Sequence, residues 1–313
     1  GLAIDGGGIR GYIVLKQLKA LERELGGPII NHFQYLGLNS TSGIIGGLLA
    51  IGYSASDAEA FYEKHGEKIF HKKPLKLGLF KPKYDVTHFE NVLEEIFKDT
   101  KLSDLKTNII VSATNYTNRY EKELVFLFKS EKARIDSTKD YYLKDVVRAT
   151  TAAPIYFKPH KITSVDGKTT LLLGDGGLCV NNPSYMMFVD MEDNPLENKE
   201  LNVLSFTTGK KIPPITKQLK TLEELEENAA LKNIDDIVDI QLDANQHVAD
   251  YNMTQAKKHN RCNMYHRLLS YINYSNGKID DASAINMRNM SEDGERSANL
   301  NRLIIKGFVE NIK

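Results

Sequence analysis

The stretch DGGGIRGY, residues 5–12, follows the apolar residues Leu2-Ala3-Ile4, and its reading decides the fold. Gly6, Gly8 and Gly11 fit G-x-G-x-x-G, the loop that seats a dinucleotide pyrophosphate on a helix N-terminus. The same glycines can instead aim bare backbone N–H groups at the oxyanion of an acyl-transfer reaction. A tight turn without chemistry is a third reading, although three consecutive glycines cost much backbone entropy.

The flanking sequence separates these readings. Ile13, Val14, Leu18, Leu21 and Leu25 recur at helical spacing, and Gly26-Gly27-Pro28 stops that helix. A second strand-like run spans Phe33 to Leu38. A dinucleotide site expects an acidic residue at the end of that strand, about 20 positions beyond the loop, to hold the ribose. Here the strand ends in Leu38-Asn39-Ser40, while Glu22 and Glu24 sit inside the first helix. No Gly-Lys-Ser/Thr follows the glycines, so a phosphate-binding P-loop is also disfavoured.

Bulk composition narrows the classes further. The chain has 313 residues, 41% hydrophobic, and its 41 Lys+Arg balance 41 Asp+Glu. A net charge of zero gives no support to nucleic-acid binding, which normally shows as a basic excess. Cys179 and Cys262 form no disulfide framework and match no metal spacing, which predicts a reducing, cytoplasmic setting. The apolar run from Gly43 to Gly52 is too short for a bilayer, which takes about 20 residues. No signal peptide is visible, and the opening inside a strand-like segment predicts further residues upstream, with any targeting information among them.

Along the chain, Ser40 leads into a small-residue apolar helix to about Ile51. Ser56-x-x-Glu59 reads as a capping box opening a helix through Phe70, and Thr87 to Phe97 is amphipathic. Ile109–Ala113, Leu124–Phe128, Thr170–Leu173 and Val203–Thr207 are strand candidates; Leu143–Thr151 reads as helix, as do 218–258 and 300–311. Strands alternating with helices predict one α/β layered domain over 1–313 with a mainly parallel sheet, 218–313 forming its peripheral part.

Two residues stand where catalytic groups belong. Ser40 closes a strand and opens a helix, the geometry of a nucleophile elbow, although Leu38-Asn39-Ser40-Thr41-Ser42 lacks both glycines of G-x-S-x-G. Read locally, Ser40 also fits a helix N-cap. Asp175, in Leu173-Gly174-Asp175-Gly176-Gly177, sits just past an apolar strand and suits either a catalytic base or an ordinary Asp-Gly turn. None of the eight histidines lies in a stretch that looks catalytic, and His160 reads as a surface residue.

Taken together, these motifs resemble the patatin-like phospholipases. In that family a D-G-G-G-x-R-G loop supplies the oxyanion hole, an elbow serine attacks the ester, and the aspartate of D-G-G/A acts as base. Asp5 to Gly11 matches the loop residue for residue. Asp175-Gly176-Gly177, followed by Asn181-Asn182-Pro183, matches the base motif. Arg148 to Phe157 resembles R-A-T-S-A-A-P-x-Y-F, Leu204 to Gly209 resembles the S-L-G-T-G strand end, and Tyr265-His266-Arg267 is similar to a late Y-x-R element. The resemblance runs in order from residue 1 to about 290. It departs at the elbow, where Leu38 and Ser42 replace the two glycines; Leu38 predicts crowding between strand and helix, and Ser42 becomes a second candidate nucleophile.

The resemblance implies a patatin-like three-layer α/β domain with a Ser–Asp dyad at the carboxyl ends of the strands. It implies Ser40 as nucleophile, Asp175 as base, and Gly6, Gly7 and Gly8 as the oxyanion loop. Arg10 would hold that loop or meet a lipid phosphate. No metal or organic cofactor is implied. The expected substrate is a glycerophospholipid or acylglycerol, met during transient contact with a membrane surface. Leu75, Leu77, Leu79 and Phe80, alternating with Lys72, Lys73, Lys76 and Lys81, fit a membrane-docking lid or a solvated loop over the core edge. A catalytically weak or inactive relative that binds lipid or a protein partner is the competing expectation.

Overall fold

The computed structural model describes residues 1–69, 84–117, 123–194, 200–212 and 234–313. The proposed docking loop and residues 218–233 of the acidic helical stretch lie outside them. The described strands β1 (Leu2–Ile4), β2 (Tyr35–Leu38), β3 (Asn108–Asn115), β4 (Val125–Lys129), β5 (His160–Thr163), β6 (Thr170–Gly174), β7 (Asn202–Phe206) and β8 (Met264–Leu268) form an eight-stranded sheet. Its order is β5-β6-β3-β2-β1-β7-β8, with β4 paired to β3. The run β3-β2-β1-β7-β8 is parallel, whereas β4, β5 and β6 pair antiparallel at one edge.

Side-chain alternation along the strands builds the layers. Leu2 and Ile4, Leu36 and Leu38, and Leu204 and Phe206 join one core cluster, while Ala3, Tyr35 and Val203 join another. The first cluster packs against α1 (Gly11–Leu25), α2 (Thr41–Ala50), α3 (Ala55–Ile69), α4 (Val86–Phe97) and α6 (Leu143–Thr150). Short α5 (Ser130–Ile135) follows β4. On the other face lie α7 (Ser184–Asp193) and α8 (Ile234–Lys258), and the chain closes with α9 (Ala284–Leu300) and α10 (Arg302–Ile312) against the first cluster. The result is the expected mixed α/β architecture, a mostly parallel central sheet flanked by helices. No helix among the described residues is long and apolar enough to cross a membrane.

The order of the parallel strands reverses at β1. In an open α/β sheet, loops at such a reversal splay apart and leave a crevice at the carboxyl ends of the strands. The glycine loop leaves β1 there, beside Ser40 at the end of β2.

Two local expectations change. The capping box of α3 is Ser54 with Asp57, not Ser56 with Glu59: Ser54 Oγ accepts the Asp57 N–H at 3.1 Å, and Asp57 Oδ2 accepts the Ser54 N–H at 2.9 Å. Glu59 turns instead toward α1, where it pairs with Lys16 and Lys19. Leu38 is fully buried without crowding the elbow, because Gly46 lies opposite it on α2. A Cβ on Gly46 would overlap both Leu38 methyls. The glycine absent at position 38 has in effect moved to the helix. Gly46→Ala should therefore destabilise the fold by about 1–3 kcal/mol, and Leu38→Ala by about 2–5 kcal/mol. Chemical denaturation of both single variants and the double should give a sum well below additive. Strict additivity would show that the two positions do not share this space.

Candidate active site

Ser40 stands between β2 and α2 with φ 51 and ψ −129. That conformation is strained for any residue with a Cβ, and such strain persists where neighbours over-determine it. Here the Ser40 N–H donates to Thr150 Oγ1 at 2.8 Å, and Thr150 Oγ1 donates in turn to the Ser112 carbonyl at 2.7 Å. The side chain does not cap the helix. Instead Ser40 Oγ donates to Asp175 Oδ2 at 2.8 Å, across 135 positions of sequence. Ser42 is fully buried and closes the turn locally, its Oγ accepting the Asn39 N–H at 2.7 Å and donating to the Asn39 carbonyl at 2.8 Å. The geometry therefore presents Ser40, not Ser42, to the carboxylate.

Asp175 is fixed on every side. Its N–H donates to the Ala152 carbonyl, its own carbonyl accepts Thr114 Oγ1 at 2.7 Å, and Oδ1 accepts the Gly177 N–H at 2.7 Å. One carboxylate oxygen thus anchors the Asp-Gly-Gly turn while the other faces Ser40. Burial pushes the Asp175 pKa up to about 6, and the hydrogen bonds from Ser40 and Gly177 pull it the other way.

A carboxyl whose folded pKa exceeds its unfolded value favours the protonated folded state, so its contribution to stability falls as pH rises from about 4 to about 6. Asp175→Asn removes that cost. Denaturation at pH 8 should show the variant more stable than the parent by up to about 3 kcal/mol, the equivalent of two pKa units. The advantage should vanish at pH 4. An equal difference at both pH values would mean that the buried charge is not the cause.

The glycine loop is anchored by its carbonyls. Gly6 O accepts Thr208 Oγ1 at 2.6 Å, and Gly7 O accepts the Arg10 N–H at 3.2 Å and Arg10 Nε at 3.4 Å. Because a trans peptide sets N–H opposite C=O, the amides of Gly7 and Gly8 face away from Thr208 and Arg10. No acceptor for either amide is found among the described residues. Gly8 adopts φ 57, and a Cβ there would overlap the Ile279 carbonyl, so the position requires glycine. Arg10 Nη1 also reaches the Gly209 carbonyl at 3.3 Å, which makes this side chain a brace of the loop.

Two long-range devices hold that loop in place. Fully buried Asp5 and the largely buried side chain of Arg267 form a bidentate pair, Nη2 to Oδ2 at 2.6 Å and Nη1 to Oδ1 at 3.1 Å. Burial would lower the Arg267 pKa, but the charge and hydrogen bonds of Asp5 more than offset it and hold the guanidinium above its ordinary value. Residues 273–283 lie over the other side of the loop, where the Ile279 carbonyl accepts the Ile9 N–H at 2.9 Å. Their start is ordered by buried Asp293 on α9, whose carboxylate accepts the N–H groups of Asn273, Tyr274 and Ser275.

Gly8, Ser40 and Asp175 open into one cavity, walled by Phe89, Tyr156 and Phe157. Few polar groups in an apolar wall is the usual constitution of a small-molecule site. His160 lies in β5, bonded to Asp145 through Nε2 at 3.0 Å, and is absent from this lining. Thr150 and Thr208 fall on the threonines of the R-A-T and S-L-G-T-G segments, and Thr114 lies in no motif; each supplies one hydroxyl to a loop of the site, a role that the sequence does not assign.

A family model described as patatin-like phospholipase matches residues 2–188. The chain therefore belongs to the patatin-like phospholipase family. It is 30% identical to patatin-like protein 4 of Arabidopsis thaliana over 66% of this chain and 59% of that protein. It is 27% identical to patatin-like protein 2 of Oryza sativa subsp. indica, over 94% of this chain and 82% of that protein. A cUMP-AMP-activated phospholipase of Escherichia coli is 26% identical over 66% of this chain and 64% of its own length. The chain thus spans less than two thirds of the Arabidopsis and Escherichia relatives.

Proposed function

We propose that this chain is a serine-dependent lipid acyl hydrolase, a phospholipase A-type enzyme acting on glycerophospholipids or acylglycerols. The observation that carries the reading is the 2.8 Å bond from Ser40 Oγ to Asp175 Oδ2 in a cavity shared with Gly8. Ser40 Oγ attacks the ester carbonyl as Asp175 accepts its proton. The N–H groups of Gly7 and Gly8, with Gly6 completing the loop, receive the oxyanion, each well-placed donor contributing about 3–4 kcal/mol. Collapse of the tetrahedral intermediate breaks the ester C–O bond, and Asp175 returns its proton to the departing alcohol. Water, activated by the same carboxylate, then releases the fatty acid from the acyl-enzyme.

The substrate class is supported by the family match and by the apolar wall. Transient contact with a membrane surface is supported by Ile155, which is 65% exposed beside Tyr156 of that wall. The domain is proposed to act as one unit over residues 1–313, in a cytoplasmic setting and peripherally at membranes.

Mass spectrometry after treatment with a fluorophosphonate probe tests the reading directly, and the adduct is expected on Ser40. An adduct on another serine, or none, overturns it. The rate on a soluble short-chain ester should also fall below about pH 6, as the Asp175 carboxylate takes up its proton. A flat profile from pH 5 to pH 8 would remove Asp175 as base.

A further inference from the structure

Asn245 belongs to no motif and lies beyond the residues that the family model matches. It projects from α8 onto the turn that follows Asp175. Its Oδ1 accepts the Asn181 N–H at 2.8 Å, and its Nδ2 donates to the Cys179 carbonyl at 2.7 Å. One side-chain amide thus serves the turn as a neighbouring strand would, satisfying a donor and an acceptor together.

The turn in its anchored position reaches the nucleophile. Asn39 Nδ2 donates to the Asn181 carbonyl at 3.4 Å and lies 3.5 Å from its Oδ1, and Asn39 immediately precedes Ser40. The next residue of α8 extends the same bracing. The Gln246 carbonyl accepts Asn182 Nδ2 at 3.3 Å, and Gln246 Oε1 accepts Arg267 Nη2 at 3.3 Å, the guanidinium that holds Asp5. Base turn, elbow and glycine loop are therefore all tied, directly or through one residue, to a single turn of α8.

We propose that Asn245 is a positioning residue for the Ser40–Asp175 dyad, fixing the distance between base and nucleophile from a position that belongs to no motif. The inference rests on the hydrolase reading given above. Its physical basis is a difference in sensitivity. Two hydrogen bonds at a half-buried side chain contribute modestly to folding. A displacement of about 1 Å between reacting groups, by contrast, can lower a rate about a hundredfold.

The test compares Asn245→Leu, of similar volume but with no amide, and Asn245→Asp, which keeps the acceptor for the Asn181 N–H and loses the donor to Cys179. On a soluble chromogenic ester, Asn245→Leu should lower kcat about ten- to a hundredfold with KM within about twofold. Asn245→Asp should fall between it and the parent. The rate of fluorophosphonate labelling of Ser40 should follow the same order, while thermal unfolding stays well above the assay temperature. Unchanged kcat in folded Asn245→Leu overturns the proposal, as does a loss expressed only in KM. If Asn245→Leu fails to fold, Asn245→Asp carries the test by the same criteria. Ser40→Ala and Asp175→Asn are run beside them: turnover by those variants means that the hydrolase reading has failed, whereas their inactivity with normal Asn245 variants means that the positioning role alone has failed.

Discussion

Ser40→Ala is expected to abolish turnover of a soluble ester, with kcat falling by about 10⁴-fold or more, the scale seen when a nucleophile is removed from a catalytic unit. The hydroxyl of Ser40 is the group presented to Asp175 Oδ2, and the strained backbone that presents it is held by Thr150. Ser42 offers no replacement, since its hydroxyl is committed to Asn39 in a fully buried turn. In the proposed mechanism nucleophile and base act together in one step, so either is useless alone. Asp175→Asn and the double variant should accordingly lose about as much as Ser40→Ala, not the product of the two losses. Denaturation should show all three folded, because Asn tolerates the Asp-Gly turn and alanine fills less space than serine. Residual turnover by Ser40→Ala above about one part in a hundred of the parent would be incompatible with a unit of this kind.

Arg267→Ala should cause the largest loss of stability, about 3–5 kcal/mol, the usual result of leaving one member of a buried ion pair without its partner. Asp5 is completely buried, and both its oxygens face the guanidinium. Removing Asp5 as well should recover much of the loss: the Asp5→Asn, Arg267→Leu double variant is expected to unfold at a denaturant concentration closer to the parent than Arg267→Ala does. It should remain a poor hydrolase, because the carbonyl-anchored loop beside Asp5 would lose its brace. A double variant no more stable than Arg267→Ala would show that the pair's mutual compensation is not what the fold requires.

The parts of this fold that were legible in sequence are those where short apolar runs meet turns. Leu2–Ile4 before the glycines and Tyr35–Leu38 before Ser40 are buried strands, and Leu171–Gly174 before Asp175 buries alternate residues; each meets a backbone constraint at its end. α9 escaped detection for a physical reason. Its buried face includes Asn286, Asp293 and Ser297, polar side chains satisfied by the preceding loop or by the helix itself, so it shows no apolar stripe. β8 was recognised only through the Y-x-R resemblance, since its His266 and Arg267 interrupt the strand pattern. The contacts of Thr150, Thr208 and Asn245 join residues far apart in the chain, and single positions carry no trace of such pairing. Leu38 is the instructive case: a missing glycine read as a defect is compensated by Gly46, six positions beyond Ser40, in a contact that only the folded helix creates.

The central place of β1 in the sheet also sets an order of assembly. Leu2 pairs with Leu36 on one side and with Leu204 on the other, and Asp5 meets its guanidinium partner 262 positions later. During synthesis, the segments bearing Ser40 and Asp175 are both translated before Thr208 and Arg267. A chain translated only that far lacks both anchors of the glycine loop, the Thr208 hydroxyl on the Gly6 carbonyl and the Arg267 guanidinium on Asp5. High contact order of this kind slows folding. It also means that a product terminated before Thr208 would carry Ser40 and Asp175 without the anchored glycine loop beside them.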